Sequence, residues 1–288
     1  MRFVWFTDPH LNHVPDVTRE RWLGRIAAES CDAILVSGDI AESKEVVHHL
    51  CKLANQVETP VYFVLGNHDF YGGSIAATRQ AVIQACRDNR LLNYLTDSSA
   101  VQLADCDPQN PAYLVGEDGW GDATTGDFDR SYVRLNDFVE IEDFRQSNPT
   151  TWKNMLGELG EASAGRLFEK LLALPEAATQ IIILTHVPPF REACWYEGRT
   201  TDDNWAPFFV CGQVGIAIQQ ISRSRPHCRY TVLCGHTHHR GVAKLAPNLT
   251  VYTGAAHSGE PGIEAILDVT NDSILIRNDP RPDASKVE

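Results

Sequence analysis

Three times in the first seventy residues a short apolar run ends directly in a loop that carries Asp or His, and this repetition constrains the fold more than any other feature of the sequence. Phe3 to Phe6 leads into Thr7-Asp8-Pro9-His10, Ala33 to Val36 into Ser37-Gly38-Asp39, and Val61 to Leu65 into Gly66-Asn67-His68-Asp69. Amphipathic segments, Val17 to Ser30 and Lys44 to Gln56, separate the runs, and a third follows at Ile75 to Asp88. Alternation of β-rich and helical stretches predicts an α/β protein, a sheet covered by helices. In an open sheet of this kind the ligand site lies beyond the carboxyl ends of the strands, so the three loops should converge.

The pattern returns in the second half. Ile181 to Leu184 ends in Thr185-His186, and Tyr230 to Leu233 ends in Cys234-Gly235-His236-Thr237-His238. Val101 to Leu103 and Ala112 to Val115 read as strands, as do short runs around 242–245, 250–252, 263–268 and 273–276. A helical region is expected from about Thr151 to Leu174, in two pieces around Gly157 to Gly160, and another around Gln213 to Ile221. Two aromatic stretches without clear period, 116–138 and 188–209, are expected as cap-like loops, because long irregular loops in compact domains are often functional. With no repeat and no low-complexity linker, residues 1–277 are expected to form a single domain and 278–288 a flexible tail.

The chain has 288 residues, 43% of them hydrophobic, enough for a substantial core. Its formal net charge of −13 repels polyanions and disfavours long nucleic acid as a partner. Eight cysteines are scattered without a C-x-x-C pair, which predicts reduced, mostly buried thiols. No segment approaches the roughly twenty apolar residues of a membrane span, and the first apolar run is too short for a signal-peptide core. The expectation is a soluble, cytoplasmic protein.

A lone Asp at a strand end is more often a turn or cap residue than a ligand, and a lone His there is more often a surface or core residue. Five such loops in one chain reverse that reading. Imidazole and carboxylate donors suit divalent first-row metals such as Mn, Fe and Zn. Two such ions about 3.5 to 4 Å apart can share a carboxylate, hold phosphate oxygens and deliver hydroxide in line to phosphorus.

Asp8-x-His10, Gly38-Asp39, Gly66-Asn67-His68-Asp69, His186 and Gly235-His236-x-His238 together resemble the five motifs of the calcineurin-like metallophosphoesterase family, complete and in order. The resemblance implies a four-layer α/β/β/α sandwich of two facing mixed β-sheets flanked by helices. It implies two divalent or trivalent metal ions (Mn, Fe or Zn), one held by Asp8, His10, Asp39 and His238, the other by Asp39, Asn67, His186 and His236. Asp39 is then the bridge, and His68 the histidine that donates a hydrogen bond or proton to the leaving oxygen, with Glu42 the nearest candidate for the acidic residue, shortly after the bridging Asp, that orients it in part of the family. Asp69 is expected to pin its loop through backbone hydrogen bonds.

The implied activity is hydrolysis of a phosphomonoester or phosphodiester of a small molecule by a metal-bridging hydroxide. The competing readings are a nuclease using the same centre, against which the acidic balance counts, and a non-catalytic scaffold, against which His68 and the full ligand set count. Core packing is the default for any single aromatic residue, but the density of aromatics beside polar groups in the two loops suits a cap over the metals. The candidate substrate contacts are Asn67, Trp120, Arg130, Trp195 and Tyr196.

Overall fold

The computed structural model describes residues 1–103, 111–145, 147–270 and 273–278. The expected tail therefore lies outside the described residues from 279 onward. The first sheet starts with four parallel strands, β1 (Arg2–Phe6), β2 (Ala33–Ser37), β3 (Val61–Val64) and β4 (Leu92–Tyr94), joined by α1 (Asp16–Ala28), α2 (Val46–Val57) and α3 (Ile75–Asp88). The second sheet contains β5 (Val101–Gln102), β6 (Ala112–Glu117), β7 (Gln180–Thr185), β10 (Arg229–Cys234), β11 (Gly241–Ala246) and β12 (Leu249–Thr253). Its central order β6, β7, β10, β12 is parallel, with β5 and β11 antiparallel at the edges. The chain then returns to the first sheet as β13 (Ala265–Val269), antiparallel to β1, and β14 (Ile274–Asn278).

Side-chain alternation explains why these runs are apolar throughout. In β1, Phe3 and Trp5 point at the second sheet and meet Leu114, Ile182, Leu184 and Leu233. Val4 and Phe6 point the other way, onto Trp22, Leu23 and Ile26 of α1 and Leu50 and Leu53 of α2. In β7 the division repeats: Ile182 and Leu184 face the first sheet, while Ile181 and Ile183 pack on α6 (Pro149–Leu172) and α8 (Gly212–Ser224) through Leu167, Leu171, Val214 and Ile218. Strands buried on both faces need a hydrophobic side chain at every position. The result is a four-layer sandwich of two mixed six-stranded sheets between helices.

The break expected near Gly157 is absent. Helix α6 runs continuously from an Asn148 cap, whose side chain accepts from the amides of Thr150 and Thr151 at 3.1 and 3.2 Å. Gly160 is there because the helix passes close to Asp122: a Cβ would lie 2.3 Å from the Asp122 Cβ. Close packing outweighs the roughly 1 kcal/mol that glycine costs a helix relative to alanine.

The two expected cap loops are one body. Asp122 N donates to Val210 O (3.2 Å), Ala123 N to Pro207 O (2.9 Å) and Asp127 N to Asp203 O (2.8 Å). Within or just after them sit elements the sequence did not announce: α4 (Asp137–Glu140), α5 (Glu142–Arg145), the hairpin β8 (Trp195–Tyr196) and β9 (Arg199–Thr200), and α7 (Ala206–Phe209). The seven described cysteines are all free thiols. No helix among the described residues is long and apolar enough to cross a membrane.

Candidate metal centre

All five motif loops meet at the carboxyl ends of β1, β2, β3, β7 and β10. Among the eight described non-glycine residues with positive φ, five are Asp8 (49°), His10 (41°), Asp39 (52°), His236 (69°) and His238 (59°). Asp and His tolerate this left-handed conformation better than most residues, but it still carries strain, and strain concentrated on one cluster of polar side chains marks a functional site. The motif glycines serve proximity. Gly66 and Gly235 are not among the glycines with positive φ; a Cβ on Gly66 would sit 2.2 Å from Asp39 Oδ1, and one on Gly235 2.1 Å from Asp8 Oδ2.

Two groups of donor atoms are assembled there, Asp8, His10, Asp39 and His238 in one, and Asp39, His186 and His236 in the other, with each group's atoms within 4.8 Å of one another. Asp39 belongs to both. Its Oδ1 lies 3.4 Å from His186 Nε2 and its Oδ2 3.7 Å from His10 Nε2. The backbone N–H of His68 donates to Oδ1 at 2.9 Å and fixes the carboxylate.

The hydrogen bonds around these residues dictate which lone pairs are free. His186 Nδ1 donates to the Ser37 carbonyl (2.8 Å), which leaves Nε2 to point inward. His236 Nε2 donates to the Phe208 carbonyl (3.2 Å), which leaves Nδ1. Asn67 Nδ2 donates to Asp137 Oδ1 (2.8 Å), so its carbonyl oxygen turns inward and lies 3.2 Å from His186 Nε2. His10 Nε2 and His238 Nε2 face each other at 3.2 Å, and His238 Nε2 is 3.4 Å from Asp8 Oδ1. Lone pairs thus converge on two points, and positive charge placed among them removes the repulsion. Metal ions fit this donor set, and the outward N–H bonds are the orienting contacts that metal-ligating histidines use.

Electrostatics agree with crowding. Asp39 is pushed well above the usual carboxylate range by burial and by the charge of Asp8. Asp8 is held well below that range, because its contact with His238 and the neighbouring imidazoles outweigh its own burial. Burial and adjacent histidines lower His10 to about 4, His236 to about 3 and His68 to about 2.

Asp69 pins its loop as expected: Oδ1 accepts from the amides of Ile40 (2.7 Å) and Ala41 (2.9 Å), and Oδ2 from Gly66 (2.7 Å), locking the Asp39 and Asn67 loops together. Glu42 does not orient His68; it pairs with His13 at 3.4 Å on the surface. The ring of His68 instead stacks on Tyr71, with centroids 4.2 Å apart and an interplanar angle of 24°.

A cavity of about 720 Å³ opens above the centre, lined by Asp39, Asn67, His68, His236 and His238 on one side and by Trp195, Tyr196, Trp205 and Phe209 on the other. Two of the expected substrate contacts, Trp120 and Arg130, are not among the residues lining this cavity. Trp120 is 4% exposed and packs against Phe70 and Phe144, because the glycine-rich turn around it dives into the core. It borders only a recess of about 10 Å³, room for one water. The Arg130 side chain is 90% exposed, pairs with Asp127 at 3.8 Å, and is not among the residues lining the cavity.

Sequence reasoning missed Asp137. Buried at the start of α4, it accepts from Asn67 Nδ2 (2.8 Å) and the Tyr71 hydroxyl (2.6 Å), so one carboxylate orients both a candidate ligand and the ring under His68. Burial raises its pKa. The only signal was a lone acid between Leu135 and Phe138.

Facing mixed sheets with nitrogen and oxygen donors grouped around a shared carboxylate define a metal-dependent hydrolase of the two-metal kind. The model of the calcineurin-like phosphoesterase family matches residues 1–240, and the chain belongs to that family, which makes it a hydrolase of phosphate ester bonds. Among solved structures, a phosphopantetheinyl hydrolase from Mycobacterium tuberculosis is similar over 89% of each chain, with a TM-score of 0.64 and 12% identity. A dimetal phosphatase from Danio rerio is similar over 96% of this chain and 95% of its own, with a TM-score of 0.58 and 14% identity. At these identities the likeness is one of fold. No curated protein matches the chain.

Proposed function

We propose that this protein hydrolyses a phosphomonoester or phosphodiester of a small molecule at a binuclear centre of Mn, Fe or Zn. The observation that carries this reading is the position of Asp39, whose two oxygens face separate donor groups. In this assignment Asp8, His10, Asp39 and His238 hold one ion, and Asp39, Asn67, His186 and His236 hold the other. When bound, the pair supplies Lewis acid for the phosphate oxygens and lowers the pKa of the attacking water.

The remaining roles belong to side chains. His68, stacked on Tyr71 and facing the cavity, donates its ring hydrogen bond or proton to the leaving oxygen. Asp137 keeps the Asn67 amide turned so that its oxygen serves the metal. Trp195 and Tyr196, with Trp205 and Phe209, form a wall for an organic leaving group. The net charge of −13 favours a small substrate over a polynucleotide.

The test is a panel of phosphomonoesters and phosphodiesters offered to metal-free protein reconstituted separately with Mn, Fe and Zn. Release of phosphate or alcohol that depends on the added metal and is lost on chelation is the expected result. Binding of two ions with no cleavage of any ester would favour the scaffold reading instead.

A further inference from the structure

The cavity above the metal cradle carries one guanidinium. Arg199 is the sole Arg or Lys among its described lining residues, and its guanidinium makes no hydrogen bond or ion pair among the described residues. Other cations of this region are neutralised: Arg191 pairs with Asp203 at 2.6 Å, Arg130 with Asp127, and Lys153 with Asp129 at 2.6 Å. Asp202, which also lines the cavity, gives Oδ1 to the amides of Asn204 and Trp205, each at 3.0 Å. A guanidinium without an ion pair on the cavity wall of a chain with net charge −13 is available to an anion inside the cavity.

The hairpin that bears Arg199 is rigidly set. Glu197 (φ 47°) and Gly198 (φ 76°) are both left-handed, as a two-residue turn of the hairpin-favouring kind requires, and Tyr196 pairs with Arg199 across it. The Trp195 indole lies flat over Gly241, where a Cβ would be 2.1 Å from Trp195 Cδ1. The Tyr196 ring meets His239 at 4.7 Å, and the Glu197 amide donates to His239 Nδ1 at 3.3 Å. His239 directly follows the His236-Thr237-His238 loop, so the hairpin is registered against the metal cradle itself.

A cavity of about 720 Å³ is the size of a site for a whole organic molecule, and a phosphoryl group alone would leave most of it empty. We propose that the substrate carries a second acidic group, phosphate or carboxylate, which Arg199 binds while the scissile phosphate ester sits at the metals and an organic spacer lies along Trp205 and Phe209. This inference rests on the phosphoesterase reading for its scissile end only.

The experiment compares alkanediol bisphosphates of increasing chain length with the alkyl monophosphates of the same length, on protein reconstituted with its most active metal. The uncleavable alkane bisphosphonates and monophosphonates are titrated calorimetrically in parallel. At the length that spans the cavity, the bisphosphate is expected to exceed the monophosphate about tenfold in kcat/KM, through KM, as one charge-assisted pair provides. In Arg199→Ala that ratio falls to about two, the statistical factor for a probe with two equivalent scissile ends, and in Arg199→Lys it returns in part. Because the ratio is taken within each variant, a loss of turnover common to both probes does not affect it. A ratio no greater than that statistical factor at every length, or a preference beyond it that survives Arg199→Ala, overturns the proposal. Bisphosphonate binding that depends on Arg199 in a protein that cleaves no ester would sustain the second-anion site and sink the phosphoesterase reading instead.

Discussion

In the cradle, five Asp and His residues adopt positive φ at the ends of buried strands, and backbone amides and carbonyls hold the carboxylates of Asp8 and Asp39 and the rings of His186 and His236. In the rim above it, between residues 194 and 209, the hairpin and a short helix present Tyr196 (59% exposed) and Trp205 (44% exposed) to solvent. The cradle is enclosed and holds five of the eight described positive-φ non-glycine residues, so its geometry is fixed before anything binds; the rim holds one, Glu197, and is the more accessible part. The two touch at few points, among them Phe208 O on His236 and His239 against the hairpin. On the proposed function, chemistry and selectivity would be carried by separable parts, and substitutions should divide along the same line.

The largest effect is expected in the cradle. Asp39→Ala should bring ester hydrolysis to background, measured as metal-dependent release of para-nitrophenol from its phosphate ester, because both donor groups lose their shared member. His68→Ala should lower kcat by about 10²- to 10⁴-fold, the usual value of a positioned acid, while metal content measured by mass spectrometry stays that of wild type. Metal loss in His68→Ala would blur the distinction between ligand and donor. Asp137→Ala should weaken metal affinity or turnover about 10- to 100-fold, the range for residues that orient ligands, because Asn67 and Tyr71 both lose their acceptor; titration with the metal followed by kinetics reads both.

The smallest effect is expected at the rim, and it separates two tryptophans. Trp205→Ala should raise KM by about two- to tenfold for an ester with an aromatic leaving group, in keeping with a stacking contact, and leave the melting temperature near that of wild type. Trp120→Ala should do the reverse, costing about 3–5 kcal/mol of stability as a buried aromatic truncation, visible as a lower denaturation midpoint. A KM effect from Trp120 with stability intact would move it from the core to the substrate wall.

Much of the cradle was legible in the sequence because strands buried on both faces read as unbroken apolar runs, and five of their ends run directly into Asp or His. Helix α3 was expected over Ile75–Asp88 and is found there, with the Ser74 side chain accepting from the Ala77 amide at its start. Asp137 was illegible because its partner Asn67 is seventy residues away in sequence, and nothing local distinguishes a buried acceptor from a helix-start acid. Trp120 was misread for a related reason: a glycine-rich aromatic stretch looks the same whether it covers a site or plunges beneath one. Helix α6 hid its continuity because Gly160 answers to a contact with Asp122 that no helical periodicity contains. The cap loops were locatable, but the backbone bonds that join them into one rim depend on pairings across some eighty residues.

The central claim is that Asp39 joins two metal sites. Metal content per chain, measured by mass spectrometry after reconstitution and desalting, should be two ions for the wild type, one each for His10→Ala and His186→Ala, and none retained by Asp39→Ala. Two ions retained by Asp39→Ala, or a single ion in the wild type lost equally with His10 and with His186, would contradict it.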